Sequence, residues 1–186
     1  NRLDRSEGCS VVVPRRARPH PLWMKLSDKG RFQPPPVLDG PSRLVAEAIT
    51  AWPDIHARTH WLLGDERKID GADFYVGEKE LGHIHLSAEA HIVQTPPVAE
   101  ALLEAKLAHP FRWSRAFVVF EIKSAADADH ALWLFRLNYD ALKGTPTSEL
   151  LERVRSRAGK RGSSREASSS EPKRKSQRGA ASRDSA

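Results

Sequence analysis

The sequence predicts an α+β fold: a small antiparallel sheet of four to five strands, helices packed on one of its faces, and extended or disordered basic termini. Three observations carry this expectation. Apolar residues recur at helical spacing in separated runs; alternating runs follow one another through turns too short for crossovers; and large apolar residues concentrate in the middle of the chain.

Residues 1–38 read as an extended arm. Pro14, Pro19, Pro21, Pro34, Pro35 and Pro36 lie there with Arg15, Arg16 and Arg18, and neither strand nor helix periodicity is sustained. Leu22, Trp23, Met24 and Leu26 form its one apolar patch, expected to tuck against the neighbouring domain. That domain spans 39–143. Pro41 suits a first helical turn, and Leu44, Val45, Ala48, Ile49 and Trp52 follow at helical spacing until Pro53.

Ile55, Ala57, Thr59 and Trp61 then alternate with His56, Arg58 and His60, the period of a strand with one buried face. A polar turn through Gly64 and Asp65 leads to Ala72–Val76, which pairs with Glu80–Leu86 across Gly77, Glu78 and Lys79 as a short-looped hairpin. Ala90–Gln94 is a further short strand. Thr95 and Pro96 open a second helix carrying Val98, Leu102 and Leu103, which ends before Pro110. Ala116–Ile122, β-branched and aromatic, is expected to be the most buried strand of the sheet. Ser124 and Asp127 cap a third helix that turns Ala131, Leu134, Phe135 and Leu137 inward. A C-terminal helix at 144–159 starts at Thr145 and Pro146 and stops at Gly159. From 160 to 186 no aliphatic side chain larger than alanine occurs, so nothing offsets the entropy of ordering and the segment reads as a disordered basic tail.

The net charge of +6 is unevenly spread. Residues 1–31 hold eight Lys/Arg against three Asp/Glu, residues 32–151 eleven against seventeen, and residues 152–186 eleven against four. An acidic domain between basic ends lacks the basic folded face of a structured nucleic-acid reader. Weak, salt-dependent contact with nucleic acid or another polyanion is expected of the tails alone. No run approaches a membrane span, and the single Cys9 forbids an internal disulfide or a cysteine-rich zinc site, so the expected compartment is cytoplasmic. The sequence identifies no cofactor, partner protein or nucleophile elbow.

His83 and His85 are the most informative local feature. Two apart on a strand, they share a face and are close enough to share a metal ion. With Gly77 before and Glu89 after, they fit Gly-x5-His-x-His-x3-Glu, the first motif of cupin metal sites, although a cupin needs an all-β barrel and a second motif. The competing reading places both histidines on the solvated face of a sheet whose other face, carrying Ile84 and Leu86, packs on helices. His56, His60 and His91 can reach the same face only if strand order brings them there. Glu78, Glu80, Glu89 and Glu121 are carboxylates available for acid/base pairing. Arg136 and Tyr139, three apart on the third helix, form either an anion-binding pair or a packed helix edge. Arg112 and Arg115 flank Trp113, the one arrangement suggestive of base stacking.

The stretch from Ala48 to Leu142, about half of the chain, resembles the bacterial proteins grouped as the luciferase-family domain. The resemblance rests on Ala51-Trp52-Pro53-Asp54, on Phe74-Tyr75-Val76-Gly77 leading into Glu80-Leu81-Gly82-His83-Ile84-His85, and on Leu134-Phe135-Arg136-Leu137-Asn138-Tyr139. More distantly, the order of elements is similar to that of the YjbR group of double-wing proteins. The resemblance implies an uncharacterised domain, and the chain is too short for the barrel of about 250 residues that a flavin-dependent luciferase needs. Two functions follow as expectations. One is a non-catalytic binding or interaction module with polyanion-contacting tails; the other is a metal-dependent, cupin-like enzyme or small-molecule binder centred on His83, His85 and Glu89.

Overall fold

The computed structural model describes Leu26 and residues 32–169, so Cys9, the Leu22–Met24 part of the apolar patch and the end of the tail lie outside the described residues. The chain runs α1 (Gly40–Thr50), β1 (Ile55–Leu62), β2 (Asp65–Val76), β3 (Lys79–His85), β4 (Glu89–Val93), α2 (Pro96–Glu104), β5 (His109–Pro110), β6 (Phe117–Glu121), α3 (Ala125–Leu142) and α4 (Thr147–Ser169). This is the α+β architecture that the alternating and helical runs predict. The strands form one open sheet in the order β1-β2-β3-β4-β6-β5, with every pairing antiparallel. Among the described residues no helix is long and apolar enough to cross a membrane.

Several details differ from the expectation. β6 is not the most buried strand: it lies next to the short edge strand β5 and alternates between buried and more exposed positions, whereas β3 and β4 are buried almost throughout. The sheet has six strands, because His109 and Pro110 add a two-residue edge strand too short to show alternation. β2 begins at Asp65 rather than Ala72, its polar first half being held by pairing with β1. α4 runs past Gly159 and Gly162, since each glycine costs a helix only about 1 kcal/mol and no proline falls within it. The start of α3 matches its signal: Ser124 Oγ accepts from the Asp127 amide at 3.2 Å and donates to Asp127 Oδ2 at 2.8 Å. Thr95 makes no such side-chain bond, so α2 begins on the geometry of its prolines.

The antiparallel register sorts the side chains into two faces. Ala57, Phe74, Gly82, Ile92 and Val118 form one cross-strand row, and Thr59, Ala72, Ile84, Ala90 and Phe120 the next. These rows meet α3, where Phe135 packs edge-on against Phe74 with centroids 6.1 Å apart. Gly82, at φ +147°, is required here: a Cβ would lie 2.5 Å from the His91 carbonyl oxygen and 2.9 Å from Phe135 Cε1. The helix can therefore approach the sheet closely, and two polar ties fix it there. Asn138 Nδ2 donates to the Leu81 carbonyl at 3.0 Å, and Gln94 Nε2 donates to the Leu134 carbonyl at 2.9 Å.

An extended stretch closes the outer edge of β1. The Thr59 amide donates to the Gln33 carbonyl at 2.9 Å, and its hydroxyl donates to the Pro34 carbonyl at 2.6 Å. Leu38 then enters the core ahead of α1. Leu86 differs from its predicted inward place: it follows the end of β3 and is 56% exposed, its amide donating to the Asp70 carbonyl. The turn has already rotated the backbone out of strand alternation.

Candidate metal centre

The second face of the sheet is polar, and much of it is buried. Arg58, Asp73, His83, His91 and Val119 form a row across β1, β2, β3, β4 and β6, with His60 and His85 one step along on either side of Gly71. Arg58, Asp73, Glu80, His83 and His91 are all buried, although the helices lie on the opposite face. His60 and His85 are nearly enclosed, with side chains 14% and 17% exposed. Burying charged groups is unfavourable unless they are paired or bind an ion, so this face demands a partner for each group.

Each of the four histidines has a carboxylate. His60 Nδ1 lies 2.6 Å from Asp73 Oδ1, His83 Nδ1 3.1 Å from Glu80 Oε1, His85 Nδ1 2.9 Å from Asp70 Oδ2, and His91 Nε2 2.7 Å from Glu89 Oε1. An ionised carboxylate only accepts, so in each neutral imidazole the nitrogen facing it carries the proton and the other carries the lone pair. The lone pairs of His83 and His91 then face each other: His83 Nε2 is 3.0 Å from His91 Nδ1. His85 Nε2 adds a third, 3.3 Å from the same His91 atom. Two lone pairs facing a third at these distances repel unless a proton or a cation lies between them.

The spacing suits a metal. With metal–nitrogen bonds of about 2.0–2.1 Å, nitrogens on one ion sit about 3.3 Å apart in tetrahedral geometry and about 2.9 Å apart at a right angle. A proton can bridge these nitrogens from Nε2 of His83 or His85, or as an imidazolium at His91 that donates to both neighbours. Burial works against the His91 imidazolium: desolvation is the largest influence on that ring and holds its pKa below the ordinary value, outweighing the opposing bond to Glu89. The carboxylate on the far nitrogen of each ring is the arrangement that orients histidines bound to metals.

His60 completes the group without joining the same set. Its ring stacks on His83 with centroids 4.1 Å apart and planes 10° apart, and it stands edge-on to His85. His60, His83 and His85 offer ligand atoms all within 4.8 Å of one another. A ligand nitrogen binds along its own ring plane, however, and stacked rings lie more than about 3 Å apart. An ion lying in the plane of His83 is therefore displaced from the plane of His60. Phe111 and Phe117 wall the other side, with Phe111 4.6 Å from the His91 ring and Phe117 5.9 Å from that of His83. Trp113 stands beside Phe111, exposed and covered by Arg112 at 4.0 Å.

Of the residues singled out in the sequence, His83 and His85 come together on this face, and His60 and His91 join them. Glu89 lies on the outer nitrogen of His91, in a second group with His85 and His91. Arg136 and Tyr139 sit on α3, away from the histidines. Arg136 pairs with Asp140 at 2.9 Å and covers Trp52, and the Tyr139 hydroxyl donates to the Pro53 carbonyl at 3.1 Å. The open sheet gives the cupin-like spacing no barrel around it.

The sequence reading did not connect Asp70, Asp73 or Glu80 to the site. Asp73 carried a usable signal, the one charge within the run Ala72–Val76. Glu80 lies three residues before His83, a spacing that regular strands send to opposite faces. A register shift pairs Tyr75 with Glu80 and Phe74 with Gly82, leaving Leu81 over and restoring Glu80 to the histidine side. Gly82 within the strand was the visible sign of that bulge.

With this geometry in hand, the class of protein is an α+β domain with a histidine-rich sheet face. Residues 78–138 match the family model described as the luciferase domain, so the resemblance seen in the Glu-Leu-Gly-His-Ile-His run holds over that stretch. The match includes His83, His85, Glu89 and His91 and leaves His60, Asp70 and Asp73 outside it. No curated protein and no solved structure matches the chain.

Proposed function

We propose that the domain binds one divalent transition metal through His83 Nε2, His85 Nε2 and His91 Nδ1, in the open coordination of a catalytic site. The observation that carries this reading is the approach of His91 Nδ1 to His83 Nε2 at 3.0 Å and to His85 Nε2 at 3.3 Å, with a carboxylate, from Glu80, Asp70 or Glu89, on the other nitrogen of each ring. Three protein ligands leave a position for an exogenous one, as catalytic rather than structural sites do. An all-imidazole set suits zinc, iron, copper or nickel over magnesium or calcium. The reading favours a metal-dependent enzyme centred on His83 and His85 over a passive interaction module, with His91 in the ligand place that the sequence pattern gave to Glu89.

Metal analysis of protein purified without a histidine tag tests it. One equivalent of Zn, Fe, Cu, Ni or Mn per chain, lost in His83→Ala and in His91→Ala while far-UV circular dichroism is kept, is the expected result. Absence of metal after purification, together with no uptake of added Zn2+ or Co2+, would contradict it. Polyanion contact by the basic termini is a separate proposal supported by charge alone. Deleting Lys160–Ala186 is expected to abolish retention on heparin at low salt, and unchanged retention would refute it.

A further inference from the structure

The sheet face opposite the helices is not polar throughout. Beyond β4 it turns apolar: Phe117 and Val119 of β6 alternate with the buried Val118 and Phe120, and both are half-buried on the side away from the helices. The loop from β5 to β6 extends this strip. Phe111 stands edge-on to the Phe117 ring at 5.9 Å, and Trp113 stands edge-on to Phe111 at 5.3 Å while remaining 66% exposed. The rings form a continuous wall from His91, 4.6 Å from Phe111, out to solvent. Apolar surface gathered in this way beside a few polar groups has the make-up of a small-molecule site. Charge adds a second observation. The Arg112 guanidinium lies over the Trp113 ring at 4.0 Å, which holds it in place. Among the described residues neither Arg112 nor Arg115 pairs with a carboxylate, whereas the acidic neighbours are engaged, Glu89 with His91 and Glu121 with Lys123. A guanidinium held without a counter-charge presents a donor fork that matches a carboxylate.

We infer that this strip binds a small aromatic carboxylic acid, its ring lying against Phe111, Trp113 and Phe117 and its carboxylate pairing with Arg112. Both halves of the ligand follow from the wall. A flat ring continues the edge-to-face contacts already present among these side chains. The carboxylate supplies the counter-charge that Arg112 lacks. A hydrocarbon ring suits Phe117 and Val119 better than a nucleobase, whose amide and carbonyl edges would lose water against them. The site borders the histidines but uses none of the ligands proposed for the ion, so it stands or falls independently of the metal reading.

Isothermal titration calorimetry of the full chain with 2-naphthoate tests it. One site per chain is expected, with an affinity that EDTA leaves unchanged because no ion takes part. 2-Naphthalenemethanol, which keeps the ring and loses the charge, is expected to bind about tenfold more weakly. Arg112→Gln should lower 2-naphthoate to the level of the alcohol, and Trp113→Ala should weaken both compounds about tenfold. Both side chains are exposed, so neither variant disturbs the core. Equal binding of acid and alcohol, unchanged binding in Trp113→Ala, or no binding at millimolar concentration overturns the inference. Binding that disappears with EDTA also overturns it, because the carboxylate would then sit on an ion. Tighter binding of adenosine monophosphate than of 2-naphthoate would overturn the choice of ligand in favour of a nucleotide.

Discussion

The two faces of this sheet are built from the same strands and do opposite work. On one, Phe74, Ile84, Ile92 and Val118 meet α3 in a closely packed apolar layer. On the other, the intervening residues are His60, Asp73, His83, His85 and His91, enclosed yet polar. Burial on the first face stabilises the fold at about 25 cal/mol per Å² of apolar surface. Burial on the second opposes folding unless every group is satisfied. The apolar face thus supports the fold, and the polar face draws on that stability to hold lone pairs in place. Alternation lets a strand separate the two roles residue by residue.

Phe135→Ala probes the apolar side and carries the largest expected effect. Phe135 is fully buried against Phe74 and Gly82, and its loss should cost about 3–5 kcal/mol in urea unfolding. A loss below about 1 kcal/mol would mean that this layer does not carry the fold. Metal addition probes the other side: at free Zn2+ a hundred times its Kd, unfolding free energy should rise by about 2.7 kcal/mol. His83→Ala should abolish the rise. A similar gain in that variant would place the ion elsewhere.

Asp70→Ala sharpens the contrast. Removing the carboxylate that orients His85 should weaken metal binding by about 10–100-fold in a chelator competition, with little change in the unfolding of the metal-free protein. Ser124→Ala lies remote from the histidines and should lower stability by about 1 kcal/mol through the lost cap, leaving metal affinity unchanged. Its effect should also depend on pH. The Ser124 hydroxyl holds Asp127 below the ordinary carboxylate pKa of 3.8. The Asp127 contribution is therefore full above that value and is lost as pH falls through the lowered folded pKa. Urea unfolding near neutrality and near pH 3 should show the wild-type advantage shrinking in acid.

The apolar face was the more legible in the sequence. Leu134, Phe135 and Leu137 at helical spacing, and Phe117–Ile122 as a β-branched run, announce core packing locally. His83 and His85 were also readable, since period-two geometry puts them on one face whatever the fold. His60 and His91 belong to neighbouring strands, so pairing and register were needed to bring them in. Glu80 stayed hidden because a bulge reverses its parity, and Asp70 because the first half of β2 lacks any alternation that marks a strand. Side-chain clusters assembled across strands depend on contacts distant in sequence, whereas helix caps such as Ser124 are written within four residues.

Anomalous diffraction at the metal edge, from crystals of the zinc-loaded full chain, tests the central claim most directly. The account predicts one strong peak about 2.0–2.1 Å from His83 Nε2, His85 Nε2 and His91 Nδ1, with His60 Nε2 beyond bonding distance. A peak bound elsewhere, or four histidines on one ion, would contradict it, as would an empty face with the three rings joined only by protons.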